Sequence, residues 1–137
     1  MNAASPDILL IEDSPTQALQ FQLMLQRAGY KVDVIADGSD AWKRAYETPP
    51  DLILLDINLP TLNGLQVLLR LKCGKSTRKI PVIMLSRFDD VRTVEQALEL
   101  GADDYIFKDD CRISYGSHNR LCEAVDHFLH AIVATPA

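Results

Sequence analysis

Four solidly apolar runs punctuate the chain: Ile8 to Ile11, Leu52 to Leu55, Val82 to Leu85 (extending back to Ile80) and Tyr105 to Phe107 after Asp104. Each reads as a strand, and the unbroken run Ile8 to Ile11 fits a central strand covered on both faces, as in a parallel sheet. Lys31-Val32-Asp33-Val34 alternates instead, which predicts an edge strand with one wet face. Between these segments the period changes to that of a helix. Ser14-Pro15 opens a first helix, with proline where its missing N–H costs nothing, and Gly29 ends it. Ala18, Phe21, Leu25 and Ala28 form its inner stripe; Gln17, Gln20, Gln22 and Gln26 leave the outer face polar. Ser39 caps a second helix ending near Glu47, before Pro49-Pro50. A third runs from Gly64 to about Lys72. Asp89 or Asp90 caps a fourth, with Val91, Val94, Ala97 and Leu98 inward and Gly101 closing it. Leu121, Val125, Phe128, Leu129 and Ile132 mark a fifth.

Strands alternating with helices predict an α/β fold: a doubly wound five-stranded parallel sheet with helices on both faces. Right-handed crossovers give strand order 2-1-3-4-5, the flavodoxin-like arrangement. The 137 residues suffice for one core, assigned here to residues 7–133, with 1–6 a flexible N-terminus and 134–137 a tail.

A net charge of -5 argues against nucleic-acid binding as the main activity. The basic run Arg70, Lys72, Lys75, Arg78 and Lys79 lacks interleaved aromatics and reads as a solvated helix end. Cys73, Cys111 and Cys122 are odd in number and without paired spacing, as expected of reduced thiols rather than a disulfide framework or a zinc site. No signal pattern opens the chain and no apolar run approaches membrane length, so a cytoplasmic protein is expected.

The chemistry lies where the strands end. Glu12-Asp13, Asp56, Ser86 and Lys108 each follow or close an apolar run. In an open parallel sheet that edge is the ligand-binding edge. Three carboxylates crowded there repel one another unless a cation joins them, and a hard divalent ion is the natural guest.

This ordered set resembles the receiver domain of two-component response regulators, over about Asp7 to Ile132. The resemblance rests on Glu12-Asp13, Asp56, Asn58-Leu59-Pro60 with Gly64, Ser86, Tyr105 and Lys108. It implies that Asp56 is a carboxylate nucleophile receiving a phosphoryl group from a histidine kinase or a histidine phosphotransfer protein. It also implies Mg2+ (or Mn2+) held by Glu12, Asp13, Asp56 and the backbone carbonyl of Asn58. Lys108 and Ser86 would contact phosphoryl oxygens. Ser86 and Tyr105 would switch the face built from the fourth helix, fifth strand and fifth helix toward a downstream target protein, with a phosphorylation-dependent dimer as one outcome. Such a protein is not an enzyme in the usual sense; it assists its own phosphorylation and dephosphorylation. Direct nucleic-acid or membrane binding is not expected.

Three features depart from the family pattern. Asp109 follows Lys108 where the family places proline after a cis bond, so a trans bond or a strained loop is expected. The stretch from Lys108 to His118 is long. Arg87 and Phe88 follow Ser86 where small residues are usual, and are assigned to the pocket lining. An aspartyl phosphatase would want an acid at Asn58, and a flavin phosphate would be repelled by Glu12-Asp13. Gly74-Lys75-Ser76 imitates the end of a nucleotide loop, but Leu69 stands at its first glycine position. The alternatives retained are a docking adaptor that works without phosphorylation, and a receiver domain cut from a larger regulator.

Overall fold

A computed structural model describes residues 5–87, 91–111 and 120–133, with side chains as far as Leu129. Strands β1 (Asp7–Ile11), β2 (Lys31–Ile35), β3 (Leu52–Asp56), β4 (Val82–Ser86) and β5 (Asp104–Phe107) alternate with helices α1 (Pro15–Arg27), α2 (Gly38–Glu47), α3 (Gly64–Cys73), α4 (Val91–Glu99) and α5 (Arg120–Val133). A 3-10 turn, Lys108–Cys111, follows β5. All strand pairs are parallel and the order is β2-β1-β3-β4-β5, as the alternation of periods predicts.

Consecutive residues of β1 serve opposite faces. Ile8 and Leu10 join α1 and α5 through Phe21, Leu25, Val125 and Leu129. Leu9 and Ile11 join α2, α3 and α4 through Ala41, Val67, Leu68 and Ala97. All four strand residues are fully buried, each contributing about 2 kcal/mol of hydrophobic stabilisation. This two-sided burial makes the β1 run continuously apolar. β2 is the edge expected, with Val32 buried and Lys31, Asp33 and Val34 exposed.

Several local details differ from the sequence expectation. The cap of α2 is Asp37, not Ser39: its carboxylate accepts from the N–H groups of Ser39 (2.8 Å) and Asp40 (3.2 Å). Ala28 is not in the inner stripe of α1. It is the C-cap, exposed, and Gly29 beyond it takes φ +98°, a conformation that favours glycine. β4 begins at Val82 rather than Ile80, where the Asp103 carboxylate takes the Val82 N–H at 2.8 Å. In α4 only Ala97 is buried; Val91 and Leu98 are 67% and 50% exposed. The apolar stripe of α4 is therefore wider than the surface it covers. The expected caps Asp89 and Asp90, with Phe88, lie outside the described residues, as do the side chain of Ile132 and residues 112–119.

Two members of the basic run have structural employment. Lys72 Nζ donates to the carbonyls of Arg78 and Ile80 and pairs with Asp103 at 3.2 Å. Arg70 lies over the Trp42 ring, 5.5 Å from its centroid. Among the described residues, Cys73, Cys111 and Cys122 form no disulfide. Among the described residues, no helix is long and apolar enough to cross a membrane.

Candidate functional site

Register brings the polar strand ends together. Asp56 closes β3 opposite Leu85, and Ser86 closes β4 opposite Phe107. Glu12 comes one residue after β1, and Lys108 one after β5. Gly64 lets the start of α3 approach this edge. A Cβ there would fall 2.3 Å from the Asp56 carbonyl oxygen and 2.7 Å from Ile57 Cα, so no side chain fits without moving the backbone of Asp56. Asn63 fixes the same helix end through a reciprocal capping box with Gln66.

Glu12, Asp13 and Asp56 each present an oxygen within 4.8 Å of the others. Glu12 and Asp56 are buried; Asp13 is exposed. Asp56 Oδ1 accepts the Asn58 N–H at 3.1 Å, and Asp56 Oδ2 accepts Lys108 Nζ at 3.2 Å. Lys108 Nζ also donates to Glu12 Oε1 at 2.6 Å. Burial pushes the Glu12 carboxyl from its ordinary 4.5 up to about 7; the Asp56 carboxylate adds to this and Lys108 pulls it back. Three oxygen-bearing acids at this spacing fit a hard divalent cation and would leave such an ion partly open to other ligands.

A recess of about 260 Å³ opens over these carboxylates, bordered also by Ser14, Asn58, Arg87 and Lys108. Arg87 borders it and is exposed. Ser86 is buried at the strand end and is not part of the recess wall. Tyr105 packs with the α2–α3–α4 side of the core, its ring edge-on to Phe107 at 5.6 Å, and its hydroxyl oxygen is withdrawn from solvent. Phe88 lies outside the described residues.

The departure at Asp109 has a simple structural answer. No cis peptide bond and no positive φ outside glycine occurs among the described residues. The chain leaves Lys108 through the 3-10 turn, so the trans alternative holds and no strained loop is needed.

The glutamine pattern of α1 places Gln17 on the outer face, and the structure corrects this. Gln17 sits in the first turn, its N–H capped by Ser14 Oγ at 3.4 Å, and its side-chain oxygen accepts Lys108 Nζ at 2.6 Å. Ser14 in turn donates its N–H to Glu12 Oε2 at 3.4 Å. The available signal was position: the first turn of a helix that begins at the binding edge of the sheet.

Known proteins resemble this chain in sequence and fold. The family model described as "Response regulator receiver domain" matches residues 8–113. Similar curated proteins include the transcriptional regulatory protein AfsQ1 of Streptomyces coelicolor, 40% identical over 75% of this chain and 44% of its own length. Another is the alkaline phosphatase synthesis transcriptional regulatory protein PhoP of Bacillus subtilis, 40% identical over 74% of this chain and 41% of its own. The chain thus spans less than half the length of these relatives. Among solved structures, the signal receiver domain of a histidine kinase from Syntrophus aciditrophicus is similar with TM-score 0.81 and 34% identity, over 97% of this chain and 96% of that one. A receiver domain of a sensor histidine kinase from Pseudomonas aeruginosa, described with magnesium in its active-site cleft, is similar with TM-score 0.78 and 29% identity, over 93% and 99%. Family match, strand order and the strand-end constellation agree: the chain belongs to the response regulator receiver domains of two-component signalling.

Proposed function

We propose that Asp56 is the phosphoacceptor of a phosphorylation-activated switch. The observation that carries this reading is the Asp56 carboxylate itself: one oxygen on the Asn58 N–H, the other on Lys108, beneath a recess edged by Glu12 and Asp13. In the transfer, an Asp56 oxygen attacks the phosphorus of a phosphohistidine. The O–P bond forms as the P–N bond breaks, and the imidazole leaves with the electron pair and takes up a proton. Lys108 supplies positive charge beside the entering oxygens, the Ser86 hydroxyl offers a hydrogen bond, and Arg87 at the mouth attracts the anionic donor.

The acid cluster fits Mg2+ or Mn2+, held by Glu12, Asp13, Asp56 and the backbone carbonyl of Asn58. When bound, the ion neutralises charge on the transferring phosphoryl oxygens. Without it, Glu12 and Asp56 share the Lys108 ammonium, which shields the site from its own repulsion.

The output belongs to the face of α4, β5 and α5. Exposed Val91 and Leu98 on α4 offer apolar area there, and Tyr105 on β5 carries the switch from Ser86 to it. A downstream protein or a second phosphorylated copy docks on it. The donor is a histidine kinase or a histidine phosphotransfer protein. The receiver unit comprises residues 7–133, acting in the cytoplasm alone or as part of a longer regulator.

The test is chemical. Incubation with acetyl phosphate and Mg2+ should give a phosphoprotein that hydroxylamine cleaves, as it cleaves acyl phosphates. Label that resists hydroxylamine would place the phosphate on a hydroxyl and refute the assignment.

A further inference from the structure

An ammonium group has three N–H donors and no acceptor. Lys108 commits all of them, to Glu12 Oε1 (2.6 Å), Gln17 Oε1 (2.6 Å) and Asp56 Oδ2 (3.2 Å). These acceptors stand on three separate parts of the fold: the end of β1, the first turn of α1 and the end of β3. The Gln17 amide must turn its oxygen inward, because its NH2 would oppose the donors of the ammonium. Gln17 also borders both the recess over the carboxylates and an adjoining one of about 460 Å³ that Gln20, Phe21 and Asp109 help to line.

Resting on the reading of Asp56 as phosphoacceptor, we infer that Gln17 is a positioning residue that holds the Lys108 ammonium at the phosphoacceptor. The two carboxylate legs are unequal: the contact with buried Glu12 is shorter by 0.6 Å than that with Asp56. Left with these two alone, the ammonium would settle toward Glu12 and away from the reacting oxygen. A divalent cation would also claim both carboxylates, weakening their hold on Lys108. The neutral amide of Gln17 does not compete for the cation at a carboxylate's strength, so its grip on Lys108 outlasts metal loading. Its short bond from the first turn of α1 keeps Nζ at the recess, where entering phosphoryl oxygens need a donor.

Gln17→Met and Gln17→Glu test this. Methionine keeps the length and helix propensity of the side chain but lacks the amide acceptor; glutamate restores an acceptor. The first readout needs no metal and no phosphate: the 1H–15N signal of the Lys108 ammonium, visible when hydrogen bonds slow its exchange with water. It should be sharp in the wild type, broadened in Gln17→Met and recovered in Gln17→Glu. The second is phosphorylation by acetyl phosphate at saturating Mg2+. Gln17→Met should lower the maximal rate about tenfold, the scale of one hydrogen bond to a charged group, with the half-saturating donor concentration unchanged. If wild type is phosphorylated and Gln17→Met matches it in signal or in rate, the inference is overturned. A wild type that takes no phosphate would overturn the reading of Asp56, and this inference with it.

Discussion

The carboxylate of Glu12 and the ammonium of Lys108 meet at 2.6 Å, with side chains 0% and 9% exposed, although 96 positions separate them in the chain. A buried pair of this kind is a weak source of net stability, because both charges have left water. Losing one partner is another matter.

Lys108→Met should therefore destabilise the metal-free protein by about 3 kcal/mol, since Glu12 and Asp56 would face each other unneutralised. Mg2+ should restore much of that loss, giving the variant a larger metal-induced rise in melting temperature than wild type. An equal rise in both proteins would contradict the shared-cation picture.

pH dependence follows from Glu12, whose carboxyl is raised from 4.5 to about 7 by burial and by Asp56. A raised folded value means that its contribution to stability is full below 4.5 and is lost as pH climbs through about 7. Metal-free protein should lose stability over that window, and Glu12→Gln should lose less. Mg2+ needs the ionised form, so its affinity should climb by up to about tenfold per pH unit below 7 and level off above it. Calorimetric titrations at several pH values check the slope, and a flat profile would remove Glu12 from the metal site.

Gly64→Ala places a Cβ against the Asp56 carbonyl oxygen, where the available distance is 2.3 Å. The cost should be about 3 kcal/mol. Phosphorylation should fall further than the melting temperature explains, because Asp56 itself must shift. Denaturant melts and phosphorylation rates on the same samples separate the two effects.

Ser86→Ala should still accept phosphate yet lose most of the change on the α4–β5–α5 face. In the proposed switch, the hydroxyl is the interaction that distinguishes the phosphorylated state at β4. Amide spectra with a beryllofluoride mimic report it; equal shifts in variant and wild type would take Ser86 out of the coupling.

The fold was legible because each central strand is buried on both faces and so reads as an unbroken apolar run, while the edge strand β2 alternates. Glu12 and Asp56 were legible for the same reason, as polar residues stopping such runs; Lys108 also stops an apolar run, although β5 is the other edge of the sheet and only its Ile106 is buried. Less was visible where neighbours compete for one role. Asp37 and Ser39 both suit a cap, and the extended backbone at Asp37 decides between them. The pattern of α4 marked Val91 and Leu98 as inward because periodicity gives the direction of a stripe and not the width of the surface it meets. Gln17 was hidden by the same rule. Its partner arrives from the far end of β5, 91 residues away, and only the closed sheet brings them together.

The most direct test of the central claim is intact-mass measurement after incubation with acetyl phosphate and Mg2+, on wild type and Asp56→Asn in parallel. Wild type should gain one phosphoryl group and the variant none, with both proteins folded. A gain of equal size on Asp56→Asn, or no gain on folded wild type, would contradict that claim.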